Sequence, residues 1–298
     1  MKFGFIGAGN MGGAIIKGYA AAQAVDANKR YPDALLVFDE MREKAEALAH
    51  LPAVNITENL AQLWGLSDCI VLCVKPNAME TVLDEIVRIR AQAPGMVGAD
   101  GAEPPADPKL YISIAAGVSL AFLQNKLGGG ARCVRVMPNT PAMVGEGMSA
   151  LSAGGDLKEA ETAAVEGLFS AVGKAVWIPE SLMDIVTGIS GSSPAYAYLY
   201  MEGLIRAGTE GGLSREAATL FAAQSTLGAA KMVLENRGEL QPDGTRAGGT
   251  SPEQLRINVC SPGGTTIEAV KALESANFRD AVESAVRAAT NKSRLMTK

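Results

Sequence analysis

Histidine is scarce in this chain, and its scarcity excludes several kinds of catalytic and metal site. Among the 298 residues there is one histidine, His50. A histidine-dependent triad or a His-rich metal site would have to use His50, which ends a charged helical pattern and is better explained as a solvated helix end. The four cysteines lack the paired spacing of metal ligands: Cys69, Cys73, Cys133 and Cys260. We expect no metal site, and reduced thiols that fit a cytoplasmic location.

Excess basic charge and long apolar runs are also lacking. The net charge is −5, which offers no basic patch to a nucleic acid. No apolar run approaches the length that spans a bilayer. Residues 14–24 are apolar, but the glycine motif before them and the lack of a basic-then-apolar order argue against a secretory signal. A hydrophobic content of 48% with 20% charged residues is typical of a globular enzyme, and the length suits two domains.

The N-terminus carries a strand, a glycine-rich turn and a helix in succession. Lys2–Ile6 is strand-like, the sequence GAGNMG at residues 7–12 completes a G-x-G-x-x-G motif, and a helical pattern follows. This order is the context in which the motif binds a dinucleotide. In that motif Gly7 makes the tight turn, Gly9 lets the backbone meet the pyrophosphate, and Gly12 lets helix and strand pack closely. The sequence therefore predicts a nucleotide site at this turn.

Strand and helix patterns alternate through residues 1–180. The predicted strands are Lys2–Ile6, Leu35–Phe38, Cys69–Val74, Leu110–Ile114, Cys133–Met137, Ser149–Ser152 and Lys174–Ile178. The predicted helices after the first one are Glu43–Ala49, Asn59–Trp64, Ala78–Arg90, Leu120–Leu127 and Leu157–Phe169. Such alternation predicts an α/β domain with a doubly wound parallel sheet. Since ligands of these sheets bind beyond the carboxyl ends of the strands, the loops that begin at Gly7, Lys75, Ala115 and Pro138 should converge on the cofactor.

From about residue 181 the patterns are helical only. The predicted helices start at Ser193-Pro194 and at Ser214, and two more span Thr266–Ser275 and Phe278–Arg294. A hydroxyl residue followed by proline is a strong helix start. Two stretches rich in glycine, proline and acidic residues, Ala93–Pro108 and Gly238–Ser251, are predicted to be mobile surface loops.

The run Cys-Ser-Pro-Gly-Gly-Thr-Thr-Ile-Glu at residues 260–268 is the most informative segment for function. It places a turn, two glycines and two threonines directly before a helical pattern. The first turn of a helix presents unpaired N–H groups and a positive dipole end. Glycines let an anion approach that backbone, and hydroxyls add donors. The segment therefore suggests a cradle for a small carboxylate or phosphate, with an ordinary capped helix start as the alternative.

Taken together, these motifs resemble the pyrroline-5-carboxylate reductase family. The matching segments, in family order, are FIGAGNMG (5–12), VKPN (74–77), SIAAGVS (113–119), RVMPNTPAMVGEG (135–147), GISGSSPAY (188–196) and LRINVCSPGGTTIEAV (255–270). The resemblance implies reduction of 1-pyrroline-5-carboxylate to L-proline by NADPH or NADH, the last step of proline biosynthesis. It implies a Rossmann-type dinucleotide-binding domain (1–180) and an all-helical substrate-binding and dimerisation domain (181–298). Homodimers or larger rings of dimers are usual in the family.

Site residues follow from the same motifs. The substrate carboxylate is expected to meet the N–H groups of Gly263, Gly264 and Thr265 and the Ser261 hydroxyl. Thr266 is our candidate catalytic residue, orienting the protonated ring nitrogen or relaying a proton from water. The residues expected to bind the nucleotide are Gly7, Gly9, Asn10, Met11, Gly12, Asp39, Asn59, Val74, Lys75, Pro76, Ala115, Ala116, Gly117, Pro138 and Asn139.

The choice of nucleotide should depend on the end of the second strand. Asp39 stands where an acid binds the ribose 2′-hydroxyl of NADH, although it comes later than the usual spacing. Many members of the family instead carry Asn or Ser followed by Arg, which suits NADPH, whereas Glu40 occupies the arginine's place here. Arg42 can still reach a 2′-phosphate, so we predict use of both nucleotides with a preference for NADH. The alternative is that Asp39 only caps the next helix.

Departures from the family pattern lie close to the cradle. Ser251-Pro252 stands where His-Pro is common, and Ile257 replaces a frequent acidic residue; both changes affect the rim of the cradle or the fit between subunits. Residues 188–196 are expected to form a subunit interface, with the apolar stripe that follows them. A reductase of 3-hydroxy acids is a second enzyme candidate, but Gly188–Gly203 lacks the lysine such enzymes use. A non-catalytic nucleotide-binding protein would leave the cradle without a purpose.

Overall fold

A computed structural model describes residues 1–25, 34–93, 107–128, 130–241 and 246–297. Within it the chain divides into two compact units, one made of Met1–Pro194 with Val286–Lys298 and the other of Ala195–Ala285. In the described ranges, helices long and apolar enough to cross a membrane do not occur.

The first unit is built on an eight-stranded sheet. Its strands lie in the order β3-β2-β1-β4-β5-β6-β7-β8. Their bounds are β1 (Phe3–Ile6), β2 (Leu35–Phe38), β3 (Val54–Ile56), β4 (Cys69–Leu72), β5 (Leu110–Ser113), β6 (Arg132–Met137), β7 (Gly147–Gly154) and β8 (Gly173–Trp177). The predicted doubly wound α/β fold is confirmed. Its reversal of strand order beside β1 is the crevice where such sheets bind ligands.

Two strands, β7 and β8, run against the other six. β7 pairs with β6 antiparallel, Val136 opposite Leu151, while β8 pairs parallel with β7. A fully parallel sheet was therefore the wrong expectation at this point. The cause is the short connection between β6 and β7. Residues 138–146 contain only the 3-10 turn Thr140–Val144, whereas a parallel crossover needs a dozen residues or more.

Helices cover both faces of the sheet, and each face has its own core. On one face Phe3, Phe5 and Ile15 are fully buried, and on the other Ile70, Leu72 and Leu83 are. Strands buried on both faces read as continuous apolar runs, as β1 and β4 do. The helices of this unit include α1 (Asn10–Val25), α2 (Arg42–Glu46), α3 (Leu60–Leu66), α4 (Met79–Gln92), α5 (Leu120–Leu127), α6 (Glu159–Ser170) and α7 (Met183–Val186).

The chain between α7 and the next helix forms a π-helical turn at Thr187–Gly191. The helices that follow are α8 (Ser193–Glu210), α9 (Arg215–Glu235), α10 (Pro252–Asn258), α11 (Thr265–Ser275) and α12 (Phe278–Met296). Ser214 caps α9 by accepting the Ala217 N–H, as the sequence predicts. The residues of α12 from Val286 onward belong to the first unit.

The two predicted surface loops have different outcomes. Most of Ala93–Pro108 lies outside the described residues, as do residues 242–245 of the second stretch. On either side of those four residues, β9 (Glu239–Leu240) and β10 (Arg246–Ala247) pair antiparallel. The described part of the second stretch is therefore a short β-ladder followed by the start of α10.

Candidate functional site

The glycine turn between β1 and α1 has a geometry that requires its glycines. Gly7 has a φ of +102°, and a Cβ there would lie 2.9 Å from the Cys73 carbonyl oxygen. A Cβ on Gly12 would overlap the Gly7 carbonyl oxygen and lie 3.0 Å from the Cys73 Cβ. Gly9 differs, because nothing lies within 4 Å of an added Cβ. The backbone at Gly9 is therefore open to an approaching group, next to the N–H groups that begin α1.

Asp39 is bonded to this turn. Its Oδ2 accepts the Ala8 N–H at 2.7 Å and its Oδ1 accepts the Met41 N–H at 2.9 Å. The N-cap of α2 is Met41, without a side-chain cap bond, so Asp39 is not itself the cap of that helix. The carboxylate ties the end of β2 to the glycine turn and thereby fixes the shape of the turn.

Two cavities adjoin the glycine turn. One, of about 460 Å³, is lined by Gly7, Asp39, Glu40 and Val74, among others. The other, of about 290 Å³, is lined by residues that include Gly9, Lys17 and Met143. Carboxylates that accept hydroxyl hydrogens, an open glycine backbone and a helix N-terminus are the groups that a dinucleotide needs. The residues present therefore fit a nicotinamide dinucleotide.

Asn59 and Lys75 also lie near the carboxyl ends of the strands. The Asn59 side chain caps α3 by accepting the Gln62 N–H at 2.8 Å. Lys75 is exposed, and its carbonyl accepts the Ala78 N–H at 2.9 Å just before α4. Cofactor contacts by these side chains stay predictions.

The loop after β5 is the third nucleotide loop that the sequence predicts. Ala115 and Gly117 are buried, and the Ser113 Oγ accepts the Ala115 N–H at 3.3 Å. Gly117 has a φ of +73°. β5 pairs with β4, so this loop leaves the sheet beside the loop that carries Val74.

The loop after β6 is held by Asn139. Its Oδ1 accepts the Met148 N–H at 2.8 Å, and its Nδ2 donates to the Ser190 carbonyl at 3.1 Å. Pro138 before it is buried. Both ends of the Asn139 amide thus connect the loop to other elements. Asn139 therefore holds the shape of the loop, and its contact with the nucleotide stays a prediction.

The cradle at residues 261–266 lies in the second unit. The Gly264 N–H donates to the Ser261 carbonyl at 3.0 Å. With proline second and Gly263 third at a φ of +71°, this is the pattern of a type II turn. Gly264 is the N-cap of α11 and has no side-chain cap bond. The turn thus delivers a helix N-terminus without a side-chain cap bond, and Thr266 is the exposed second residue of that helix.

The same unit exposes an apolar surface. Leu199 on α8 is 70% exposed, and Leu220 and Phe221 on α9 are 68% and 66% exposed. The apolar stripe predicted after residue 196 is therefore not core in the single chain. Apolar patches of this kind mark surfaces that meet another protein.

Three residues near these loops were missed from the sequence. Cys73 packs behind the glycine turn, and desolvation raises the pKa of its thiol, so the thiol stays protonated and acts by packing. Ser190 accepts from Asn139. Glu180 accepts the Leu120 N–H at 2.8 Å and pairs with the buried Arg135 at 3.0 Å. Of the three, only Glu180 could have been sought from the sequence. Its partner Arg135 is a charged residue inside an apolar strand, and such a residue needs a partner.

Comparisons with known proteins agree along the chain. Residues 180–296 match the family model described as pyrroline-5-carboxylate reductase dimerisation, and residues 2–97 match that of the coenzyme F420-dependent NADP oxidoreductases. The chain is 38% identical to the pyrroline-5-carboxylate reductase of Escherichia coli K12, over 100% of this chain and 98% of the relative. A solved pyrroline-5-carboxylate reductase of Coxiella burnetii has a TM-score of 0.82 at 32% identity, covering 100% and 98%. That of Plasmodium falciparum, with NADP bound, has a TM-score of 0.78 at 31% identity, with the same coverage.

Proposed function

This chain belongs to the pyrroline-5-carboxylate reductase family, and from that premise we propose how its own residues divide the work of the reaction. The enzyme reduces 1-pyrroline-5-carboxylate to L-proline with NAD(P)H. The reduced nicotinamide, when bound, supplies a hydride to the imine carbon, and the ring nitrogen carries the proton. The protein must therefore hold a nucleotide, a carboxylate and a protonated imine.

The substrate carboxylate binds at the N-terminus of α11. The observation that carries this assignment is the type II turn ending at Gly264, which starts the helix without a side-chain cap. The N–H groups of Gly263 and Thr265 and the Ser261 hydroxyl are the donors. Each such bond to a charged group contributes about 1.5–3 kcal/mol. The Gly264 N–H, also expected from the sequence, already donates to the Ser261 carbonyl and closes the turn.

Thr266 serves the ring nitrogen. A threonine hydroxyl is a poor free acid, so it orients the protonated imine or relays a proton from water. The competing explanation, that Thr266 is only a helix cap, has less support because the N-cap position belongs to Gly264. Its exposure in the single chain leaves the hydroxyl accessible to a substrate.

The nucleotide binds at the loops that follow β1, β2, β4, β5 and β6. The open backbone at Gly9 takes the pyrophosphate, and Asp39 accepts from the adenosine ribose. Asp39 and Glu40 line one cavity, while Arg42 is bonded to Glu46 at 2.7 Å. A 2′-phosphate would thus meet two carboxylates there and a guanidinium that already has a partner. This supports use of both nucleotides with a preference for NADH.

The chain carries the dimerisation domain of its family, and we assign self-association to the exposed apolar surface of α8 and α9. A homodimer, alone or in a ring of dimers, is the assembly we expect. A cytoplasmic location fits its four free cysteines.

The test replaces Thr266 by valine, which keeps the β-branched shape and removes the hydroxyl. Loss of one transition-state hydrogen bond lowers kcat about a hundredfold to a thousandfold, while nucleotide binding is retained. The readout is the absorbance of NADH or NADPH during imine reduction, and Thr162→Val on α6 is the matched control. If kcat of Thr266→Val stays near the unsubstituted value while its melting temperature drops, the role of Thr266 is structural only.

A further inference from the structure

The end of the last helix packs on the loop after β5. A Cβ added to Gly117 would lie 2.9 Å from the Met296 carbonyl oxygen and 3.5 Å from the Met296 side chain. Met296 is the last residue of α12. Gly117 is the buried third residue of the Ala115–Gly117 loop, and its φ of +73° is one that residues with a Cβ rarely adopt. The final backbone of α12 thus forms one wall of this loop.

Two hydroxyls hold the helix end in place. The Asp184 Oδ1 on α7 accepts from the Ser293 Oγ at 2.7 Å and from the Thr297 Oγ1 at 3.4 Å. Ser293 is 8% exposed, so its bond to the carboxylate is shielded from water. Hydrogen bonds to a charged acceptor are the stronger kind. We call Asp184, Ser293 and Thr297 the C-terminal latch.

The π-helical turn at Thr187–Gly191 extends this contact to a second loop. A Cβ on Gly188 would lie 2.8 Å from the Val286 carbonyl and 2.7 Å from the Thr290 Oγ1, so α12 lies directly against the turn. On its other side the turn accepts the Asn139 amide through Ser190. π-Helical turns occur frequently at functional sites.

We propose that the C-terminal latch is a positioning element for the nucleotide, holding the loops at Ala115–Gly117 and at Pro138–Asn139 in their binding conformation. The inference rests on the proposed function, since it takes these two loops to be nucleotide loops. A loop held in its binding shape loses less conformational entropy when the ligand binds. Loosening the latch therefore weakens nucleotide binding, and it acts on neither the substrate carboxylate nor the ring nitrogen.

Ser293→Ala in the full chain removes the shielded bond of the latch. Because this bond acts on the nucleotide loops only through α12, we expect part of its free energy to reach the nucleotide. The dissociation constant of NADH then rises about threefold to tenfold, measured by titrating the fluorescence of NADH without imine. The KM for the imine at saturating NADH stays unchanged. Asp184→Asn keeps an acceptor at the Oδ1 position and gives a smaller rise. Ending the chain after Leu295 removes Met296, Thr297 and Lys298 and raises the constant as well. Lys292→Ala, at the exposed neighbouring position, is the control without effect.

The outcomes separate this inference from the proposed function. If the unsubstituted protein fails to bind NADH or NADPH, the assignment of the nucleotide loops is wrong and the inference is lost with it. If it binds and Ser293→Ala binds equally tightly while melting at a lower temperature, the latch only stabilises the fold and the inference alone is overturned. A rise in imine KM without a change in NADH binding also overturns it.

Discussion

Asp39→Ser should weaken the binding of both nucleotides and also change the preference between them. The carboxylate accepts two backbone N–H groups, from Ala8 at 2.7 Å and from Met41 at 2.9 Å. A serine hydroxyl is uncharged and too short to meet both N–H groups, so both charge-assisted bonds are lost. Two bonds to a charged group, at about 1.5 kcal/mol each at the low end, amount to about 3 kcal/mol. If all of this free energy acted through the glycine turn, the affinity for either nucleotide would fall about a hundredfold.

The preference between NADPH and NADH depends on the charge of the Asp39 side chain and not on its two backbone bonds. Removing a negative charge near the ribose favours the 2′-phosphate of NADPH over the 2′-hydroxyl of NADH. We therefore expect the ratio of kcat/KM for NADPH to that for NADH to rise about tenfold, which is 1.4 kcal/mol. Loosening of the turn cancels from this ratio, since both nucleotides share the pyrophosphate.

Glu40→Ser is the matched control. It removes a charge from the same cavity and leaves the two bonds of Asp39 in place. It should raise the ratio without a large change in the KM for NADH. The reasoning fails in one of two ways: an unchanged NADH KM in Asp39→Ser would show that the carboxylate does not shape the turn, and an unchanged ratio would show that it does not select the nucleotide.

Two further predictions concern stability. Tyr111→Phe should lower the free energy of unfolding by about 1–3 kcal/mol, because the buried hydroxyl donates to Asp107 at 2.7 Å and accepts from the Trp64 indole at 3.1 Å. Urea unfolding measures this change, and Tyr198→Phe, at an exposed position, is the control. Burial raises the pKa of Cys133 to about 12. The folded protein therefore keeps this proton between about pH 9 and 12 while the unfolded chain loses it, and the stabilisation is complete below pH 9. The free energy of unfolding should fall by about 1.4 kcal/mol per pH unit between about pH 9 and 12 for this group, and Cys133→Ala should flatten the slope.

Local sequence patterns predicted the bounds of an element correctly where that element buries a continuous apolar run. β2 and α5 have the bounds predicted from sequence, Leu35–Phe38 and Leu120–Leu127, because apolar residues fill each buried face. β3 was missed since Val54–Ile56 is three residues long and lies at the sheet edge. Helix α10 was missed although Ser251 caps it and Pro252 begins it. The helix is seven residues long and buries none of them, so an apolar period does not mark it.

The partners of site residues were beyond the reach of local patterns. Asn139 bonds to a serine 51 residues away, and Gly117 packs on Met296 at the other end of the chain. Hydrophobic periodicity describes which face of an element is buried, and not which element covers it. Motifs therefore located the loops, whereas the side chains that shape the loops required the fold.

Shaping a loop and contacting its ligand are compatible roles for one polar side chain. An ionised carboxylate offers about four acceptor positions, and the Asp39 carboxylate uses two of them for backbone N–H groups. It can therefore hold the glycine turn and still accept ribose hydroxyls. The Asn139 oxygen has two lone pairs, one of which takes the Met148 N–H, so its capacity for a ligand is smaller. Loss of affinity in a variant at either residue combines the two roles, and only a comparison between two nucleotides that share the loop separates contact from shape.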